Sequence, residues 1–240
     1  MHLFSEIYWD RGSLPINQDS VSVQEVTIRG EKVIFAVICD GIGGLWKGEV
    51  ASGYVAEQMT IWFHEEAVYL LAKHKSREKI LKAGVRRLHT CNEELILFAK
   101  EKEVQLGTTI SAILIYKKRY MIWHSGDTQI YQIRSAGNSG RIKKLTENHS
   151  VNERTLTKCI GSFAWKQPDL MKGYVKRKTV YLICSDGFRH VVSMERLGEA
   201  LQPKKKSSRE KLYKRMAEIA EYSVRHGEKD NISAVVISAD

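Results

Sequence analysis

Two short stretches of this chain repeat one another: Phe35-Ala36-Val37-Ile38-Cys39-Asp40-Gly41 and Val180-Tyr181-Leu182-Ile183-Cys184-Ser185-Asp186-Gly187. Each is an apolar, largely β-branched or aromatic run of strand length, the pattern of a strand covered on both faces. Each delivers an aspartate followed by glycine. A carboxylate at such a strand end is poorly solvated, so alone it takes up a proton or needs a counter-charge, and two converging carboxylates repel unless cations lie between them. The glycine removes a Cβ, lets the chain turn sharply and brings a backbone carbonyl within reach of a cation. Asp230, in Lys229-Asp230-Asn231 before the apolar run Ile232–Ile237, is a third candidate, and Asp127, in Ser125-Gly126-Asp127-Thr128 after Tyr120–Trp123, is a fourth. All the ligands offered are oxygens, which selects Mg²⁺ or Mn²⁺ over zinc. Taken singly, each of these sequences is also an ordinary turn or hairpin connection. It is the ordered set that points to a metal site.

Strand-like segments recur at Ser20–Arg29, Lys32–Cys39, Thr108–Tyr116, Arg119–Trp123, Gln129–Arg134, Thr179–Cys184 and Ile232–Ser238. Their alternation and short connections argue for antiparallel sheets. Helical stretches are predicted over Glu49–Lys73 and Ser76–Glu103, with Ser76 placed to cap the second. Ile80, Val85, Leu88, Leu95, Ile96 and Phe98 recur there at roughly helical spacing. A third helical region runs over Ser207–Arg225, and Trp62, Phe63 and Tyr69 are expected to pack a helix against a sheet. Two antiparallel sheets with helix pairs outside them make an α+β fold, a four-layer α-β-β-α sandwich, with the metal site at the end where the strand-ending aspartates converge.

A chain of 240 residues with 43% hydrophobic content and only three prolines, undivided by any Ser/Gly-rich linker, is expected to form a single domain over residues 1–240. It contains no apolar stretch of about 18 residues or more, and Met1–Asp10 lacks the basic and apolar regions of a signal peptide. The expectation is a cytoplasmic protein, not attached to a membrane, with its four cysteines reduced. None of them stands in a nucleophile or Cys-x-x-Cys arrangement, and Cys39 and Cys184 read as small apolar residues packed beside the metal site. The net charge of +10 invites a nucleic-acid reading. The basic residues are spread, however, apart from Lys204-Lys205-Lys206 with Arg209, Lys211, Lys214 and Arg215, which reads as a solvated loop. No nucleic-acid partner is expected. Of the eight histidines, His64, His74 and His89 fall on predicted helices as surface or packing residues, and His149 and His190 receive no catalytic role.

The ordered motifs resemble those of the metal-dependent serine/threonine protein phosphatases, the PPM or type 2C family, in its compact bacterial form. Asn17-Gln18-Asp19-Ser20, Cys39-Asp40-Gly41-Ile42-Gly43-Gly44, Gly107-Thr108-Thr109, Ser125-Gly126-Asp127-Thr128-Gln129-Ile130-Tyr131, Leu145-Thr146-Glu147-Asn148-His149-Ser150, Leu156-Thr157-Lys158-Cys159-Ile160-Gly161, Ser185-Asp186-Gly187 and Asp230-Asn231-Ile232-Ser233 follow in family order across nearly the whole chain. The resemblance implies hydrolysis of phosphoserine and phosphothreonine by a water shared between two Mn²⁺ or Mg²⁺ ions about 3.5 to 4 Å apart, without a phosphoenzyme. It assigns Asp40 to bridge the two ions, Gly41 to offer its carbonyl, Asp186 and Asp230 to hold the first ion, and Asp127 to a third. Asp19, Gln18 and Asn231 would stand just behind these ligands. The partners implied are phosphorylated proteins and an opposing bacterial serine/threonine kinase, with the phosphatase a monomer.

Four positions depart from the family pattern. Leu14 stands where relatives place an arginine that grips the substrate phosphate; Arg11 is either its substitute or a solvated surface charge. Gln18 replaces a glutamate that contacts metal-bound water, and Ile42 replaces the histidine of animal relatives. The helical flap of relatives is shortened here to about residues 150–155, which implies a more open site. Two other readings follow from these departures: a catalytically weak relative that binds phosphoproteins, favoured by Leu14 and Gln18, and a phosphatase of small phosphoesters.

Overall fold

The structure, a computed structural model, describes residues 2–42, 47–136, 139–152, 155–204 and 207–240. Gly43 and Gly44 of the glycine-rich motif, residues 153–154 of the short flap, and Lys205 and Lys206 lie outside the described residues.

Strands β1 (Leu3–Asp10), β2 (Asp19–Ile28) and β3 (Glu31–Asp40) lead into α1 (Gly48–Trp62), a π-helical turn (Phe63–Ala67), α2 (Val68–Ala72) and α3 (Arg77–Glu101). Then come β4 (Ile110–Tyr116), β5 (Arg119–Ser125), β6 (Gln129–Ala136), β7 (Ser139–Lys144), the short β8 (Ser150–Asn152) and β9 (Thr155–Leu156), β10 (Asp169–Tyr174) and β11 (Thr179–Cys184). The chain ends with α4 (Asp186–Arg189), α5 (Met194–Leu201), α6 (Arg209–Arg225) and β12 (Ile232–Ala239). One antiparallel sheet has the order β1-β12-β11-β6-β7 and the other β10-β5-β4-β3-β2.

The layering follows from which faces are apolar. Every residue of β4, β11 and β12 is buried, as is β3 from Val33 to Cys39. Such strands need cover on both sides. Between the sheets Ile34, Ile38, Ile113, Ile122, Ile183 and Val235 meet in one core. Phe35, Trp62, Phe63, Leu88 and Trp123 join the second sheet to α1–α3, while Tyr131, Leu182, Phe188, Leu212 and Met216 join the first sheet to α4–α6. The predicted four layers are therefore present.

Ser76 caps α3 by accepting the Lys79 N–H at 3.2 Å. Trp62 and Phe63 pack as expected, Phe63 stacking on Phe35 at 5.0 Å. Tyr69, expected to pack with them, is 58% exposed on the outer face of the helix. In the basic cluster Lys204, Arg209, Lys211 and Lys214 are exposed, but Arg209 to Arg215 lie on α6 rather than in a loop: Arg209 pairs with Glu25, and Arg215 donates to the carbonyls of Ala200 and Gln202. Strands β1, β7 and β10 and helix α5 went unread in the sequence. All three strands are sheet edges, and their sequences carry few residues buried on both faces. Among the described residues, no helix is long and apolar enough to cross a membrane.

Candidate metal centre

The two sheets bring their aspartates to one end of the sandwich. Asp19 opens β2 and Asp40 ends β3, and the two are register partners. Asp186 follows β11, Asp230 precedes β12, and Asp127 lies in the connection from β5 to β6. The charges of the other four all act on Asp40. Asp40 is held well above the usual carboxylate range, first by burial and then by Asp19, Asp186, Asp127 and Asp230. Burial, with Asp186 and Asp230, pushes Asp19 up to about 7, the nearby Ser233 and Ser185 hydroxyls acting in the opposite direction. Asp19 Oδ2 is buried without a hydrogen-bond partner, as is Ser233 Oγ. Asp127 is raised to about 6 by burial and Asp186, and Asp230 is raised by the same two causes.

Local hydrogen bonds fix where these carboxylates sit. Thr108 Oγ1 and Thr109 N donate to the Asp40 carbonyl at 2.8 Å each, and Asp40 N donates to Thr109 Oγ1 at 3.0 Å, so both backbone polar groups of Asp40 are tied to the Thr108-Thr109 segment. Asp186 and Asp230 each spend one carboxylate oxygen on the next residue's N–H, at 2.7 Å in both cases. Among the described residues, no three Asp, Glu, His or Cys side chains are drawn together tightly enough to enclose a cation. Carboxylates that repel one another and accept neighbouring amides would not be expected to close into a cage by themselves. An all-oxygen, mutually repelling donor set with one buried, unpartnered carboxylate oxygen suits hard divalent cations.

The glycines after Asp40 and Asp186 serve close approach. A Cβ on Gly41 would lie 2.4 Å from the Gly48 carbonyl oxygen, and one on Gly187 2.2 Å from that of Asn231. The predicted supporting residues gather at the rim. Asn231 is a clamp: its Oδ1 accepts Gln18 N at 2.8 Å, and its Nδ2 donates to the Arg11 and Ile16 carbonyls at 2.9 and 3.1 Å. The Gln18 side chain donates to Glu49 at 3.2 Å. Arg11 is exposed, its guanidinium directed to the Pro15 carbonyl at 3.5 Å.

Three residues beside the cluster have no role in the sequence reading: Glu49 enters it only as the end of a helical stretch, Arg189 not at all, and His149 without a catalytic part. Glu49, in the first turn of α1, meets Gln18. Arg189 donates to the Asp127 carbonyl at 3.1 Å and opposes that carboxylate's raised pKa, tying α4 to the Asp127 turn. His149 accepts the Gly126 N–H on Nδ1 at 3.1 Å, so its Nε2 carries the proton that faces Asp169 at 3.0 Å. Asp169 also pairs with Lys158, and the His149 ring stacks on buried His124 at 4.8 Å. Burial lowers His149 and takes His124 down to about 4, so both rings are neutral near pH 7. No local motif announces these contacts. Proximity to Gly126-Asp127 and to Asp186 was the only available signal.

The model of the family described as protein phosphatase 2C matches residues 12–235. The serine/threonine protein phosphatase PstP of Mycobacterium tuberculosis is 30% identical over 95% of this chain, which spans 43% of that relative's length. The serine/threonine phosphatase stp of Listeria monocytogenes is 23% identical, with 99% of this chain and 96% of the relative covered. The crystal structure of the PstP catalytic domain in complex with two manganese ions superposes with a TM-score of 0.79 at 23% identity, covering 99% of both chains.

Proposed function

This chain belongs to the protein phosphatase 2C family, and from that premise we propose that it is a metal-dependent phosphatase that removes phosphate from phosphoserine and phosphothreonine in proteins. The carrying observation is the convergence of five electrostatically coupled carboxylates from both sheets on one end of the fold. Asp40, Asp186 and Asp230, with the Gly41 carbonyl, hold two Mn²⁺ or Mg²⁺ ions, and Asp127 offers a ligand to a third. When bound, the ions supply Lewis-acid activation of water and neutralise the phosphoryl oxygens. Asp19 and Gln18 stand behind the ligands, and Asn231 fixes the loop from Arg11 to Gln18 against them. Arg11 is the substrate-phosphate contact: Asn231 holds its backbone at the rim, and its exposed guanidinium exchanges the Pro15 carbonyl for the phosphate.

Residues 1–240 act as a single domain with a short flap, in which β8 and β9 pair antiparallel. The partners are phosphoproteins and the kinase that modifies them, and the enzyme works as a cytoplasmic monomer. The deciding experiment is hydrolysis of a phosphothreonine peptide with Mn²⁺ added or chelated, beside Asp186→Ala. Metal-dependent turnover that the substitution removes is the expected result. Phosphopeptide binding without turnover would make the chain a binding module, and turnover confined to small phosphoesters would change the substrate class.

A further inference from the structure

At the opposite end of the second sheet lies a cavity of about 640 Å³ that the metal centre does not use. Strand β3 runs from Glu31 at this cavity to Asp40 at the carboxylates, ten residues, which is roughly 30 Å at about 3.3 Å per residue. The cavity opens at the first turn of α3 and at the β4–β5 hairpin, and Lys75, Arg77, Lys117, Lys118 and Arg119 line it with His74. Glu31 is its one acidic lining residue. Among the described residues, Lys75, Lys117, Lys118 and Arg119 form no ion pair. Arg77 donates to the Gly173 carbonyl at 3.2 Å, and it and Arg119 lie over the Tyr174 ring at 5.3 and 6.0 Å.

A second observation points the same way. Tyr116 lines the cavity, is 8% exposed, and its buried hydroxyl has no hydrogen-bond partner. An unpaired buried hydroxyl costs about 1–3 kcal/mol. The hairpin adds a third: its two-residue loop is Lys117-Lys118, and Lys117 sits at φ 56°, in the left-handed region that Asn and Gly occupy more easily. Backbone strain and an unpaired donor are thus both present where cations gather.

We propose that this cavity binds a small anion carrying two or more phosphate charges, with the lysines and Arg119 meeting the phosphoryl oxygens and the Tyr116 hydroxyl donating to one of them. Apart from Glu31, every polar lining side chain can donate a hydrogen bond, and the volume suits a small molecule rather than a protein surface. The site does not depend on catalysis.

Calorimetric titration with inorganic pyrophosphate, in chelator so that the metal centre is unloaded, tests it on three variants. Wild type binds, and Asp186→Ala binds equally well. The double substitution Lys117→Gly with Lys118→Ser puts glycine at the one loop position with positive φ, so it folds at least as stably, yet weakens binding about tenfold or more because two charge-assisted contacts are lost. Tyr116→Phe is neutral or stabilising without ligand but binds several-fold more weakly. No pyrophosphate binding, binding unchanged by either cavity variant, or binding removed by Asp186→Ala would each overturn the proposal.

Discussion

At Gly187 a single missing methyl group decides how close two aspartates of the candidate metal centre come. Its Cβ would meet the Asn231 carbonyl oxygen at 2.2 Å and the Asp230 Cβ at 3.3 Å. Both atoms belong to the entry of β12, which cannot yield without moving Asp230 away from Asp186. Gly187→Ala is therefore expected to lower stability by about 1–3 kcal/mol, as overpacking against rigid neighbours does. It should also weaken Mn²⁺ binding by more than that stability loss alone explains at temperatures where the variant is folded. Thermal unfolding and a Mn²⁺ titration read the two effects separately. Undiminished Mn²⁺ affinity in a folded variant would show that the approach of these two loops does not set the site.

At the scale of elements, the edges of the two sheets are joined by one carboxylate. Glu25 on β2 accepts the Ser5 N–H and hydroxyl of β1, pairs with Lys32 on β3 at 2.8 Å and takes both oxygens to Arg209 at the start of α6, at 2.9 and 2.7 Å. Partial burial disfavours its charge, but Lys32, Ser5 and Arg209 outweigh this and take its pKa from 4.5 to about 2. A carboxyl depressed on folding contributes stability above its unfolded pKa and loses it as pH falls toward the folded one. Because the group is partly solvated, its contribution is about 1–2 kcal/mol at neutral pH after screening. Glu25→Gln should cost that much at pH 7, and the difference between variant and wild type should vanish between about pH 4.5 and 2, as read by denaturant melts. A constant difference down to pH 2 would mean the loss is one of packing. This network also shows what sequence reading reaches. Strands β3, β4, β11 and β12 were legible because continuous apolar runs require burial on both faces. The edges β1, β7 and β10 were not, because an edge is made by its partners: β1 joins the sheet through β12, more than 220 residues away in sequence. Asp40 and Asp186 were legible from strand-Asp-Gly order, Asp127 and Asp230 from their places beside apolar strand-like runs, and Asp19 only through the family resemblance, whereas the contacts of His149, Arg189 and Glu49 follow from no local pattern.

Across the whole molecule, charge is divided between the ends of the second sheet: acidic where it meets the first sheet's Asp186 and Asp230, basic around the Lys117-Lys118 hairpin. Because Asp19 and Asp40 come from one sheet and Asp186 and Asp230 from the other, their mutual repulsion acts across the interface between the two layers. A cation that binds only the folded chain stabilises it by about 2.7 kcal/mol at a hundredfold excess over its Kd. For a chain of this size that corresponds to a rise in melting midpoint of roughly 5–10 °C. Saturating Mn²⁺ should produce this rise, and chelator should reverse it. Sodium chloride, by screening, should raise the midpoint of the chelated protein modestly and that of the Mn²⁺-loaded protein less. Asp186→Ala should abolish the Mn²⁺ response, while its midpoint in chelator equals or exceeds that of wild type, since one of the repelling charges is gone. A lower midpoint for Asp186→Ala in chelator would show instead that the aspartate's hydrogen bond to Gly187, at 2.7 Å, outweighs the repulsion. In that case the carboxylates would stabilise the end of the sandwich even without cations, and the two sheets would be held there by backbone contacts rather than by metal.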